Sequence, residues 1–178
     1  MTGSAPLGVV EDATVRRAQS GDPAALDAVL RDLAPYLGRI CGAIALDGGD
    51  DALQDTMVAV SRNLTSLREP AALRGWARRI AVRESVRTAR RSASVPVDPS
   101  DLDPMTVDLS PGVDRVATAV EVWSVLDTLR PEQRAVLVLR HIDDLDEAEM
   151  AAALGVARGT VKSRLHRARA AFRDRWTA

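Results

Sequence analysis

The stretch that decides the fold runs from Leu145 to Phe172 and reads LDEAEMAAALGVARGTVKSRLHRARAAF. Its first part places Met150, Ala151 and Leu154 on one side of a short helix expected over Asp144 to Leu154. Gly155 can adopt the positive φ that a tight turn at a helix C-terminus requires, and Val156 follows as an expected buried turn residue. A second helix then begins near Arg158 and runs to Trp176, with Val161, Leu165, Ala168 and Phe172 forming a single apolar stripe. Helix, glycine turn and helix at this spacing describe a helix-turn-helix, whose second helix can enter the major groove of duplex DNA.

The opposite side of that second helix presents Arg158, Lys162, Ser163, His166, Arg167 and Arg173, and no acid occurs from Ala151 through Phe172. A helix that needs only solubility mixes both signs. A helix bordered by phosphates excludes carboxylates, because they are repelled there. Lys162, Ser163, His166 and Arg167 lie where side chains reach base edges or adjacent phosphates, and an arginine can grip guanine through two acceptors. Arg158 and Thr160, at the helix start, suit phosphate contacts assisted by exposed backbone amides.

Working outward, charge is segregated along the chain. The net charge of −1 conceals a balance of +2 over residues 1–91, −9 over 92–155 and +6 over 156–178. Arg74 to Arg91 holds seven arginines and only Glu84 among acids. Two basic blocks thus flank an acidic middle, a distribution suited to two separate nucleic-acid footprints. Between them Ser92 to Asp114 carries four prolines and five aspartates with no apolar periodicity, the composition of an extended linker.

The expected organisation is a tail over 1–14, a domain over 15–91, an acidic linker over 92–114 and a second domain over 115–178. The first domain reads as helices throughout. Ser20-Gly21-Asp22-Pro23 is a turn in which Asp22 caps and Pro23 opens a helix carrying Leu26, Val29, Leu30, Leu33 and Leu37. After a break at Asp47–Asp50, a stripe of Leu53, Met57, Val60 and Leu64 follows; after Leu67–Pro70, a third run carries Leu73, Trp76, Ala77, Ile80, Ala81 and Val86. In the second domain, helices are expected over Val116 to Leu129 and Pro131 to Ile142 ahead of the helix-turn-helix. No stretch alternates as a half-buried strand does, so the class is all-α.

Composition excludes other classes. Hydrophobic residues at 46% and charged residues at 28% are ordinary for a globular chain. A lone cysteine, Cys41, cannot form an internal disulfide, and two histidines without cysteines nearby give no metal site, so neither metal nor cofactor is expected. No apolar stretch approaches the roughly 20 residues of a membrane helix, and the N-terminus lacks a signal-peptide core, so a cytoplasmic protein is expected. No glycine-rich phosphate loop or nucleophile with an adjacent base emerges, which argues against an enzyme.

The block LRPEQRAVLVLRHIDDLDEAEMAAALGVARGTVKSRLHRARAAF resembles region 4 of bacterial sigma factors of the extracytoplasmic-function (ECF) family. Upstream, GDDALQDTMVAVSRNL resembles region 2.2, and LRGWARRIAVRESVRTARR resembles regions 2.3 and 2.4. The resemblance implies a promoter-specificity subunit of RNA polymerase in which region 4 reads the −35 element as duplex. Region 2 would clasp the clamp helices of the β′ subunit through Asp51, Gln54, Asp55 and Met57, and capture the unpaired −10 strand. For that strand, Arg78, Arg79, Arg83, Arg87, Arg90 and Arg91 supply attraction to phosphates. Trp76 can stack on a base, although its register with Leu73 and Ile80 favours a core or edge role. The β flap and an anti-sigma factor are further partners implied by the family. The chain departs from the family where aromatics are common, carrying Met57, Val58 and Arg74-Gly75-Trp76 instead. It stops soon after the region-4 block, with no appended regulatory domain expected. The alternative reading is a stand-alone helix-turn-helix regulator of duplex operators with an N-terminal dimerisation bundle, which would not need the arginine-rich helix near Trp76.

Overall fold

The computed structural model describes residues 10–93 and 113–177, so most of the expected linker and the start of the N-terminal tail lie outside the described residues. All regular elements among those residues are helical: α1 (Asp12–Gln19), α2 (Pro23–Ala45), α3 (Gly49–Asn63), α4 (Leu73–Ala93), α5 (Val113–Asp127), α6 (Pro131–His141), α7 (Glu147–Leu154) and α8 (Arg158–Trp176). Short 3-10 turns link α2 to α3 and α3 to α4. The all-α expectation holds.

In the N-terminal half, α2 is the central post against which α1, α3 and α4 pack. Asp22 caps it as expected: its Oδ1 accepts from the amides of Ala24 at 2.9 Å and Ala25 at 3.1 Å, with Pro23 at the first position. Val29, Leu33, Leu37, Ile40 and Ile44 are sealed from solvent along one side. The helix continues through Pro35 and ends where Leu46 turns to φ +54°.

Two details differ from the sequence expectation. Helix α1 has no counterpart in the periodicity reading, because an eight-residue helix with only Val15 and Ala18 buried leaves too short a pattern. In α3 the deepest line is Ala52, Thr56 and Val60, while Leu53 and Met57 are half-buried beside it. Small residues take the seam because the backbones approach closely there: a Cβ at Gly49 would lie 2.8 Å from the Gly42 Cα. The Thr56 hydroxyl is satisfied by donating to the Ala52 carbonyl at 2.6 Å. Helix α4 buries Leu73, Ala77, Ile80 and Ala81, with Trp76 and Val86 half-buried at the margin.

In the C-terminal half, α5 through α8 surround a core of Leu126, Leu129, Leu139, Met150, Val161 and Leu165. Five consecutive residues of α6, Ala135 to Leu139, are all buried. A helix apolar on every side is covered on every side. Here α8 covers one flank of α6, and α2 and α4 of the other half cover another. The two halves are therefore in contact, and their buried side chains join one contiguous cluster.

Candidate nucleic-acid interface

The helix-turn-helix is assembled from local chemistry. Asp146 accepts from the amides of Ala148 at 2.7 Å and Glu149 at 2.8 Å, while the Glu149 carboxylate accepts from the Asp146 amide at 2.9 Å. This reciprocal cap starts α7 at Glu147, three residues later than expected, because Asp144 at φ +48° belongs to the preceding turn. The amide bonds hold the Asp146 carboxyl below its ordinary range. Gly155 ends α7 at φ +65°, in the left-handed region, as the turn requires. The inner face of α7 is Met150 with Ala153; Ala151, Leu154 and the turn residue Val156 are half-buried rather than enclosed. Ala153, three residues beyond Met150, lies on the same face of the helix and is buried with it.

Helix α8 is pinned by Val161, Leu165 and Ala168, all buried, with Phe172 half-buried and stacked on Trp176 at a centroid separation of 5.8 Å. Its other face projects outward: Arg158, Lys162, Ser163, His166 and Arg167 are exposed, and Thr160 is half-buried at the base of the first turn. Ser163 donates to the Thr160 carbonyl at 3.0 Å, and Arg167 to the Ser163 carbonyl at 3.2 Å. Both polar bonds run along the helix, and the Asp146 carboxylate at the start of α7 lies close enough to feel the charge of Arg158.

The second basic surface lies on α4. Arg79, Arg83, Arg87, Arg90 and Arg91 are exposed along one side. Arg87 pairs with Asp55 of α3 at 2.9 Å and with Glu84 at 2.7 Å; Arg91 reaches Asp55 at 3.4 Å. Arg78 is set apart from the others. Its Nη1 donates to Asp143 at 2.8 Å, and its side chain is only 16% exposed. Tyr36 donates to the same Asp143 oxygen at 2.9 Å, and burial pushes its hydroxyl up to about 12, keeping it a protonated donor. Trp76 is half-buried and packs against the core.

On α3, Asp51 and Gln54 are exposed, Asp55 is half-buried in its arginine pairs, and Met57 packs against the core. Val58, 43% exposed, shares the outer face at the spacing of Asp51, Gln54 and Asp55; the sequence reading noted it only as a departure.

Sequence reasoning did not single out Arg134. Only 6% exposed, it donates through Nε to the Ile44 carbonyl at 2.8 Å and through Nη1 to the carbonyls of Leu126, Asp127 and Leu129 at 3.2–3.3 Å. One guanidinium thus serves the C-terminal ends of α2 and α5, where carbonyls lack intrahelical partners. The available signal was the uninterrupted apolar run that follows it, which marks a helix without a solvent face.

A groove of about 420 Å³ opens between α5, α6 and α8, floored by Val122, Leu126, Val138 and Phe172 and rimmed by Arg169 and Arg173. Ile142, 52% exposed, stands at its mouth. Burial lowers the pKa of His141 beside it, with Arg169 and Arg140 adding to the effect. Among the described residues no three His, Cys, Asp or Glu side chains converge to hold a metal, and no helix is long and apolar enough to cross a membrane.

A helix-turn-helix in the C-terminal half and an arginine-lined helix, α4, in the N-terminal half are together the features of a DNA-binding protein. The Sigma-70, region 4 family matches residues 119–172. The ECF RNA polymerase sigma factor SigM of Mycobacterium tuberculosis is 37% identical over 156 residues, spanning 85% of this chain and 76% of that relative. The chain belongs to the ECF RNA polymerase sigma factors. Two solved structures share its fold. CnrH in complex with the cytosolic domain of CnrY superimposes with a TM-score of 0.63 at 24% identity, covering 93% of this chain and 96% of that one. RpoE in complex with the anti-sigma factor NepR from Bartonella quintana superimposes with a TM-score of 0.57 at 23% identity, covering 86% and 94%.

Proposed function

We propose that this sigma factor is a non-catalytic cytoplasmic specificity subunit. It binds core RNA polymerase, reads the −35 element as duplex with α8 and captures the −10 strand with α4. The observation that carries the reading is the face of α8: Arg158, Lys162, Ser163, His166 and Arg167 are presented together, while Val161, Leu165 and Ala168 fix the helix from behind. Arg167 and Lys162 suit base edges and nearby phosphates, and Arg158 and Thr160 suit the phosphate backbone at the helix start. On α4, Arg79, Arg83, Arg87 and Arg90 supply the attraction that a single strand requires, and Trp76 lies at the edge of the same helix.

The domain over 15–91 would meet the β′ clamp helices through the outer face of α3, with Asp51, Gln54 and Val58 available and Asp55 shared with α4. The domain over 115–178 would receive the β flap in the apolar groove between α5, α6 and α8, whose arginine rim suits an acidic flank. An anti-sigma factor is a further partner, a reading supported by the two structural neighbours solved with bound partners.

Run-off transcription tests this reading. Core polymerase supplemented with the purified chain is expected to start at defined sites, with the chain competing saturably against the housekeeping sigma factor for core. Duplex binding without any start site or core competition would instead indicate the stand-alone regulator.

A further inference from the structure

A cleft of about 1090 Å³ lies between α4 on one side and α7 with part of α8 on the other. Arg79, Arg83, Arg87, Arg90 and Arg91 line it from α4, and the half-buried Arg164 lines it from α8. The α4 arginines recur at three- and four-residue spacing, so they stand in a row along one side of the helix. From Arg79 to Arg91 that row is about 18 Å long at the rise of an α-helix.

Charge in the cleft is not balanced. Among the described residues its one acidic lining side chain is Glu132, which accepts from Arg90 Nε at 2.6 Å. Beside the row, Arg87 pairs with both Asp55 and Glu84, while Arg83 reaches Glu84 at 3.3 Å and Arg91 reaches Asp55 at 3.4 Å. Neither Arg79 nor Arg164 makes an ion pair among the described residues. Three carboxylates thus serve six guanidiniums, and Val82, Val86, Ala135 and Leu154 make the rest of the lining largely apolar. Like charges across such a space repel more strongly than in open water, and an anion that touches both walls relieves the repulsion most.

The lining also narrows the chemistry of that anion. Guanidiniums take phosphate oxygens in pairs, and a row of them matches an anion whose charge is repeated along its length. Proteins that hold a single nucleic-acid strand add aromatic faces on which bases stack. Among the described residues no aromatic, amide or hydroxyl side chain lines this cleft, and Trp76 of the same helix lies outside it. Phosphates are served there and bases are not.

We propose that this cleft is a binding site for a linear, base-free polyphosphate, which lies along the α4 row and is gripped from the opposite wall by Arg164. A single strand on α4 has no need of Arg164, so the site stands apart from the −10 reading of that helix.

Isothermal titration calorimetry of the full chain with sodium tripolyphosphate, at fixed ionic strength and without divalent cations, tests it. Saturation at one ligand per chain is expected, with orthophosphate weaker by roughly tenfold or more because it cannot span the walls. Arg79→Ala with Arg164→Ala should weaken tripolyphosphate by roughly tenfold, the loss of two ion pairs. Arg16→Ala with Arg31→Ala removes the same charge from exposed positions outside the cleft and should leave the affinity unchanged. An equal loss in that control overturns the proposal, as does binding of several ligands per chain or a failure to saturate. Arg164→Ala alone should cost roughly threefold. Full affinity in that variant, with Arg79→Ala still weakening the complex, places the anion on α4 alone and overturns the two-walled site. A short oligothymidylate is expected to bind more weakly than tripolyphosphate. Tighter binding of it that depends on Arg164 would make the cleft a nucleic-acid site instead. Circular dichroism checks folding. Should Arg164→Ala unfold the chain, Arg164→Gln carries the test with the same direction expected.

Discussion

Arg134 of α6 and Ile44 of α2 meet at 2.8 Å, guanidinium Nε to backbone carbonyl, although 90 residues separate them in the chain. The same side chain also serves the last carbonyls of α5. Burial lowers its pKa below the ordinary arginine range. Removing it strands several buried acceptors at once. Arg134→Ala is expected to lower stability by roughly 2–4 kcal/mol in urea denaturation. Arg134→Lys should recover only part, because an ammonium cannot span both helix ends.

Arg167 stands exposed on the outer face of α8, braced by its bond to the Ser163 carbonyl. Arg167→Ala should weaken binding to a −35 duplex by roughly 1–3 kcal/mol and, through loss of a base contact, relax preference at one position. Lys162→Ala, as a loss of phosphate attraction, should weaken all duplexes alike. Competition binding against a panel of single-base variants separates the two patterns, and equal losses on every duplex for Arg167→Ala would place it on the backbone instead.

Arg83 and Arg87 carry the strand-binding claim for α4. Replacing both with Ala should reduce open-complex formation, measured by permanganate footprinting with core polymerase. It should also flatten the logarithmic salt dependence of single-strand binding by about 1 to 1.5, since two phosphate contacts are lost. Normal open complexes would remove α4 from the −10 interaction.

Gly155 holds φ +65°, with nothing within 4 Å of where a Cβ would sit. The cost of Gly155→Ala is therefore backbone strain alone, expected at roughly 1–2 kcal/mol. The strain falls on the turn that sets α8 against α7, so duplex affinity should drop along with the melting temperature. A variant as stable as the parent would show that the turn relaxes without penalty.

Asp146 has a carboxyl pKa below its ordinary value of 3.8, held there by the amides of Glu149 and Ala148. A depressed carboxyl contributes stability above its unfolded pKa and loses it as pH falls through the folded one. Asp146→Ala should accordingly melt at a lower temperature than the parent at neutral pH. The gap should narrow as pH drops below about 4. A gap independent of pH would assign the loss to helix propensity instead of to the charged cap.

Much of the candidate site was legible because its determinants are local. The turn at Gly155, the stripe Val161–Leu165–Ala168 and the acid-free opposite face all lie within about twenty consecutive residues. Each follows from helical period and capping chemistry. Less visible were features in which one residue has several neighbours. Arg78 reads in sequence as one more strand-binding arginine, yet it is drawn into a nearly dry pair by Asp143, 65 residues away. Asp55 reads as a polymerase contact, yet it also neutralises Arg87 and Arg91. The seam of α3 falls on Ala52 and Thr56 instead of Leu53 and Met57 because backbone proximity at Gly49 favours small side chains.

The sequence by itself determined the longer helices, the cap at Asp22, the turn at Gly155, the all-α class and the basic face of α8, since hydrophobic period and terminal hydrogen bonds act over a few residues. Only the tertiary structure decided how the two halves meet, which arginines are left to solvent and which are matched to carboxylates. Those outcomes depend on distances between residues remote in the chain, and no local pattern encodes them. The apolar run of α6 signalled that both its sides are covered; what covers them, α8 on one flank and α2 with α4 on another, is settled by packing alone.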